Sequence, residues 1–169
     1  MKSDNQILKE RALKNAQKND CKKDLDEESD SFLEFTLLSQ KFAIESSFTT
    51  EVHFLKEITP IPGAPHFVSG VVLHRGKIVS VINLRSLFKM RERGLTDLNK
   101  FIIISHKDVY FGIIADSITG IAKKSITSIT PPPTTVDIKV STFISGIFPD
   151  GVVLLDAMKL ITSPEIIIK

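Results

Sequence analysis

From Ser31 onward, short runs of strand-favouring residues are broken by turn signals every 8–12 positions. Phe32-Leu33-Glu34-Phe35-Thr36-Leu37-Leu38 turns at Ser39-Gln40 and returns as Lys41-Phe42-Ala43-Ile44. Gly70-Val71-Val72-Leu73 and Ile78-Val79-Ser80-Val81-Ile82 flank Arg75-Gly76-Lys77, a hairpin in which Gly76 is free to take a positive φ. Residues 101–105 and 109–115 make a hairpin around His106-Lys107-Asp108; 118–122 and 126–129 follow as strands. Residues 143–148 pair with 152–155 around Pro149-Asp150-Gly151. About nine or ten short strands at this spacing predict an all-β barrel or sandwich. Taken run by run, the strands show no repeat at the residue level.

Between these runs the chain carries connectors and caps. Residues 45–53 are polar and suit one helical turn. Thr59-Pro60-Ile61-Pro62-Gly63-Ala64-Pro65 must be extended, because three prolines fall within six residues. Asn83 caps a short helix over 84–90, Pro131-Pro132-Pro133 stops the sheet, and Asp156 caps a last helical turn over 157–161.

Composition divides the chain near residue 31. Residues 1–30 carry 7 basic and 8 acidic side chains, whereas the following 139 carry 15 and 12 among dominant apolar runs. The first part is a charged N-terminal tail, partly helical or disordered, and 31–169 is the folded domain. In the tail, Ile7, Leu8, Ala12, Leu13 and Ala16 recur at helical spacing behind Asp4, a helix short enough to be marginal in water. It is either a solvated extension or a helix that docks on a partner.

Several function classes find no support. A formal charge of +2 gives no footprint for nucleic acid, and 11 of the 12 aromatics are Phe, suited to core filling. There is no signal core, and no apolar run reaches the ~18–20 residues of a membrane span, so direct membrane insertion is not expected and the chain reads as cytosolic. Cys21 is the only cysteine and cannot form an internal disulfide. His53, His66, His74 and His106 are well separated, without His-x-x-x-His or Cys-x-x-Cys spacing, so no metal is predicted, although the fold can still gather two of them. No nucleophile elbow or phosphate loop appears, and no cofactor is expected. Asp116 and Asp156 close apolar strands, as paired carboxylates of a hydrolase or, more in keeping with their context, as caps of the turns that follow. Abundant strands without a reactive cluster point to an interaction module rather than an enzyme.

About 130 residues, from Phe32 to Thr162, resemble the CheW family of chemotaxis coupling proteins. The opening hairpin 32–44, Glu51-Val52, the Pro60 to Val71 block, Leu73-His74-Arg75-Gly76, Asn83-Leu84-Arg85, Phe111 to Ile118, Phe143 to Ile147 and Leu154 to Ile161 follow the family's order. The chain departs from the family pattern at Leu73 and His74 (usually Asn and Leu), at Ser80 (often Pro), at Asn83 (often Asp) and at Thr49 (often aliphatic). The resemblance implies two pseudo-symmetric, SH3-like five-stranded barrels sharing a hydrophobic core, with short helical turns. It implies a non-catalytic adaptor, cytoplasmic and recruited to membrane receptor arrays, that bridges the signalling tip of methyl-accepting chemoreceptors and the regulatory domain of a sensor histidine kinase. By position it assigns Glu51, Val52, Gly70, Arg75 and Gly76 to partner binding. Two other readings are an adaptor of a non-motility chemosensory array and a small-ligand-binding β-barrel, which would need an internal cavity.

Overall fold

The computed structural model describes residues 29–91, 93–96 and 98–166. The expectation of a charged tail falls on residues that, up to 28, lie outside this set. Ten strands are present: β1 (Asp30–Leu37), β2 (Gln40–Glu45), β3 (Thr49–Phe54), β4 (Val68–His74), β5 (Lys77–Ile82), β6 (Lys100–His106), β7 (Val109–Ala115), β8 (Ser117–Lys124), β9 (Ile144–Ile147) and β10 (Val153–Leu155). Among the described residues three short α-helices accompany them: α1 (Leu84–Leu87), α2 (Ile138–Ser141) and, after the last strand, α3 (Ala157–Thr162).

The strands form two five-stranded sheets, ordered β8-β1-β2-β10-β9 and β3-β6-β7-β5-β4. The two share one plan. An edge strand pairs with an antiparallel hairpin, the hairpin's second strand pairs in parallel with another strand, and that strand ends a second hairpin. The parallel partners are β2 with β10 and β7 with β5.

This plan is written in the residues, which corrects the reading that no repeat exists. Ile58-Thr59-Pro60 with Phe67-Val68-Ser69-Gly70-Val71 returns as Ile129-Thr130-Pro131 with Phe143-Ile144-Ser145-Gly146-Ile147. Each Thr exchanges both backbone hydrogen bonds with the residue after the glycine, Thr59 with Val71 and Thr130 with Ile147. The carbonyls of Phe67 and Phe143 accept from Asn83 and Asp156, and each of those caps the helix that follows. Gly70 and Gly146 are needed where these bridges approach, because a Cβ at either would collide with a Thr carbonyl.

Burial explains why two sheets make one body. The largest apolar cluster takes Leu33, Phe35, Phe42 and Ile44 from one sheet and Ile82, Ile102, Ile104, Phe111 and Ile113 from the other. Each sheet also curls around its own smaller cluster: Val72, Val79, Val81, Phe101, Ile103 and Ile114 in one, Phe32, Ala43, Phe148, Val152 and Leu154 in the other. The barrel interiors are therefore filled by side chains. The all-β expectation and the shared core both hold.

Two local expectations change. Residues 45–53 hold a 3-10 turn, Ser46–Phe48, but most of the segment is β3. Residues 126–129, expected as a strand, form the 3-10 turn Ile126–Ser128. No helix among the described residues is long and apolar enough to cross a membrane.

Candidate partner-binding site

The β4–β5 hairpin turns on two residues, with His74 opposite Lys77. Arg75 and Gly76 occupy the turn with φ of 49° and 77°. Positive φ at both positions defines the primed turn that matches the twist of the strands. Glycine takes this conformation freely. For arginine it costs on the order of 1 kcal/mol or more, which the rest of the hairpin must offset. The Arg75 side chain is 72% exposed. Beside it, Leu73 and Ile78 stand opposite each other, 67% and 74% exposed. The tip thus presents a guanidinium next to a cross-strand apolar pair, a combination suited to binding a protein surface.

β3 and β4 are the two edges of their sheet, yet they meet. Glu51 and His53 face inward on β3, opposite Ile103 and Phe101 of the barrel's inner cluster. Glu51 Oε2 lies 2.6 Å from His53 Nε2, 3.1 Å from Arg75 Nη2 and 3.3 Å from His74 Nε2. One carboxylate therefore closes the barrel seam and steadies the base of the hairpin. The hydrogen bond from His53 holds the Glu51 carboxyl below the usual carboxylate range. Partial burial opposes this, and the charges of Arg75 and His74 add to it.

The second barrel has the same clasp with the signs exchanged. Lys124, at the end of edge strand β8, pairs with Asp150 in the β9–β10 turn and lies 2.8 Å from Glu34.

The structure brings together Glu51, Arg75 and Gly76. Val52 points to the opposite face of β3 and is 38% exposed. Gly70 is buried, so it can influence a partner only through the backbone it shapes. Leu73, Ile78 and the gathering of His53 with His74 were not predicted as site features. The alternation of β4 and β5 around a two-residue turn does place Leu73 and Ile78 as cross-strand partners, and this signal could have found that pair.

The two carboxylates weighed for chemistry serve the backbone. Asp116 accepts from the Leu38 N–H at 2.6 Å and from Asn99 Nδ2 at 2.9 Å, and lies 3.7 Å from buried Arg85. Asp156 accepts from the Lys159 N–H at the start of α3.

Comparison with known proteins agrees with this architecture. The CheW-like domain model matches residues 31–165. The chain is 28% identical to the chemotaxis protein CheW of Treponema pallidum over 149 residues, covering 84% of this chain and 88% of that one. It is 26% identical to the chemotaxis protein CheW of Klebsiella aerogenes, covering 79% and 82%. The crystal structure of the scaffolding protein TtCheW from Thermoanaerobacter tengcongensis superimposes with a TM-score of 0.70 at 27% identity, covering 81% of this chain and 95% of that one. With ten strands in two matched sheets and a family match across the whole folded region, the chain belongs to the CheW-like family.

Proposed function

We propose that this chain is a chemotaxis scaffold that joins chemoreceptor signalling tips to the regulatory domain of a sensor histidine kinase. In this reading it is non-enzymatic, cytoplasmic, and held at receptor arrays by its partners. The observation that carries the reading is the exposed, backbone-strained Arg75 at a hairpin tip, flanked by exposed Leu73 and Ile78 and braced from below by Glu51. A guanidinium in such a setting offers a bidentate contact to a carboxylate, and the apolar pair supplies area that a partner can desolvate. Two barrels built on one plan give one molecule two comparable faces, which suits bridging. Individual contacts need only be micromolar, about −8 kcal/mol, because assembly in an array raises the effective concentration.

The test is co-sedimentation with a receptor signalling fragment and the cognate kinase. The wild-type chain is expected to pellet with both. Arg75→Ala, and Arg75→Asn, which suits the positive φ, should retain wild-type circular dichroism and lose at least ten-fold in apparent affinity for one partner. Failure of the wild type to pellet with either partner at tens of micromolar would remove the scaffold reading.

A further inference from the structure

Three nitrogens converge on Glu51 Oε2, but an oxygen with two lone pairs cannot serve three donors well. His53 makes the hydrogen bond, at 2.6 Å. His74 Nε2 approaches to 3.3 Å without hydrogen-bonding alignment. His74 is 4% exposed, and this buried nitrogen has no hydrogen-bond partner. A buried polar atom aimed at a carboxylate and left unsatisfied calls for a missing partner.

The coordinating atoms of Glu51, His53 and His74 all lie within 4.8 Å of one another. The two imidazole rings are 4.8 Å apart between centroids. Zinc bonded at about 2.0–2.1 Å to nitrogen and oxygen in a tetrahedron spaces its ligand atoms by roughly 3.3 Å. The 2.6 Å contact must open to that spacing, and of the two rings the part-exposed His53 is the one with room to move. Two imidazoles with one carboxylate favour zinc and its tetrahedral analogue cobalt over the hard, oxygen-seeking calcium and magnesium.

We propose that Glu51, His53 and His74 form a three-ligand site for a divalent transition ion of the zinc class, with a fourth position left to water or to a donor from outside. Both histidines bind through Nε2, with the proton carried on Nδ1. The ion takes over the carboxylate that otherwise holds Arg75. Metal loading therefore releases the guanidinium at the hairpin tip. This consequence for docking rests on the scaffold reading, whereas the metal site does not.

The experiment is calorimetric titration of the full chain with zinc chloride at neutral pH, paired with the visible spectrum of the cobalt-loaded chain. Wild type is expected to bind one equivalent and to give the intense ligand-field band of tetrahedral cobalt. His53→Gln, at a part-exposed position, and His74→Leu, which keeps the seam filled, should each weaken zinc binding at least ten-fold. Cys21→Ser should leave it unchanged. Arg75→Ala should bind zinc more tightly than wild type, and equal affinity would overturn the competition for Glu51. The site itself is overturned if wild type takes up no zinc at about 100 μM. It is equally overturned if binding survives both histidine substitutions or disappears with Cys21→Ser. Because no receptor or kinase enters the titration, its failure leaves the scaffold reading to its own test.

Discussion

Two glycines sit a short distance apart on one hairpin and need their missing side chain for different reasons. Gly70 has φ of 142°, and a Cβ there would strike the carbonyl of Thr59 and the side chain of Ile58. Gly76 has φ of 77°, and nothing lies within 4 Å of where its Cβ would be. Gly70→Ala therefore combines conformational strain with a backbone collision and should cost about 3 kcal/mol. Gly76→Ala carries only the left-handed penalty, about 1–2 kcal/mol. Urea unfolding of both variants checks the order, and equal losses would show that the Thr59 bridge yields freely. The same contrast marks what was legible in the site. A Gly after Arg75 between two apolar runs announces a tight turn, so Gly76 and the exposure of Arg75 could be anticipated. Gly70 looks similar in sequence but answers to the Thr59 connector that folds back against it, and local pattern cannot report that. His53 and His74 escaped for the same reason. They are 21 positions apart and meet only because the sheet curls until its edges touch.

At the scale of elements, seam closure by ion pairs has a pH signature, clearest in the β8 barrel. The hydrogen bond from Lys124 holds the Asp150 carboxyl below its ordinary value of 3.8, while slight burial pulls the other way. For Lys124, burial lowers the pKa, but the hydrogen bonds to Asp150 and Glu34 outweigh it and leave the ammonium above 10.5. A depressed carboxyl contributes stability above its unfolded pKa and loses it as pH falls through the folded value. A raised ammonium contributes below its unfolded pKa and loses it as pH climbs through the folded value. The clasp is thus intact across neutral pH and weakens first on the acid side, below about pH 4. Asp150→Asn should melt about 1–3 °C below wild type at pH 7, a modest gap suited to a part-exposed pair. That gap should shrink as the pH falls below 3.8 and vanish once the folded carboxyl itself is protonated. A gap that persists there would mean the aspartate acts through the turn, not through its charge. Most strands were readable as short apolar runs, because β1, β2, β6 and β7 bury both faces, one in the shared layer and one inside their own barrel. β3 was not, because its inward face carries Glu51 and His53 instead of aliphatic residues, so an edge strand looked like a polar loop. The internal repeat was hidden by unequal spacers, residues 61–66 in one half and 132–142 in the other.

For the whole molecule, the decisive feature is that the largest apolar cluster belongs to neither barrel alone. Ile104 on β6 and Phe35 on β1 are fully buried in the same cluster although they lie in different sheets. The smaller clusters inside each barrel hold only a handful of buried residues each, too little to offset the chain entropy of ordering five strands. Neither barrel should persist once the shared layer is lost, so unfolding should be one cooperative step. Ile104→Ala removes buried methylenes from that layer and should cost about 3 kcal/mol. The loss should appear equally in hydrogen exchange of the β6–β7 hairpin, which carries the substitution, and of the β1–β2 hairpin, which does not. Val152→Ala, placed inside the other barrel, should lower the same single transition rather than create a second one. Calorimetry is the direct check, with the measured enthalpy equal to the van't Hoff value for wild type and both variants. If Ile104→Ala instead released β6–β7 while β1–β2 stayed protected, the barrels would be separable. A partner could then act on one barrel without the other feeling it. A single transition means that strain applied at the Arg75 hairpin is borne by the same packed layer that supports the opposite barrel. That shared layer is the physical route by which a scaffold of this build can couple what binds one face to what binds the other.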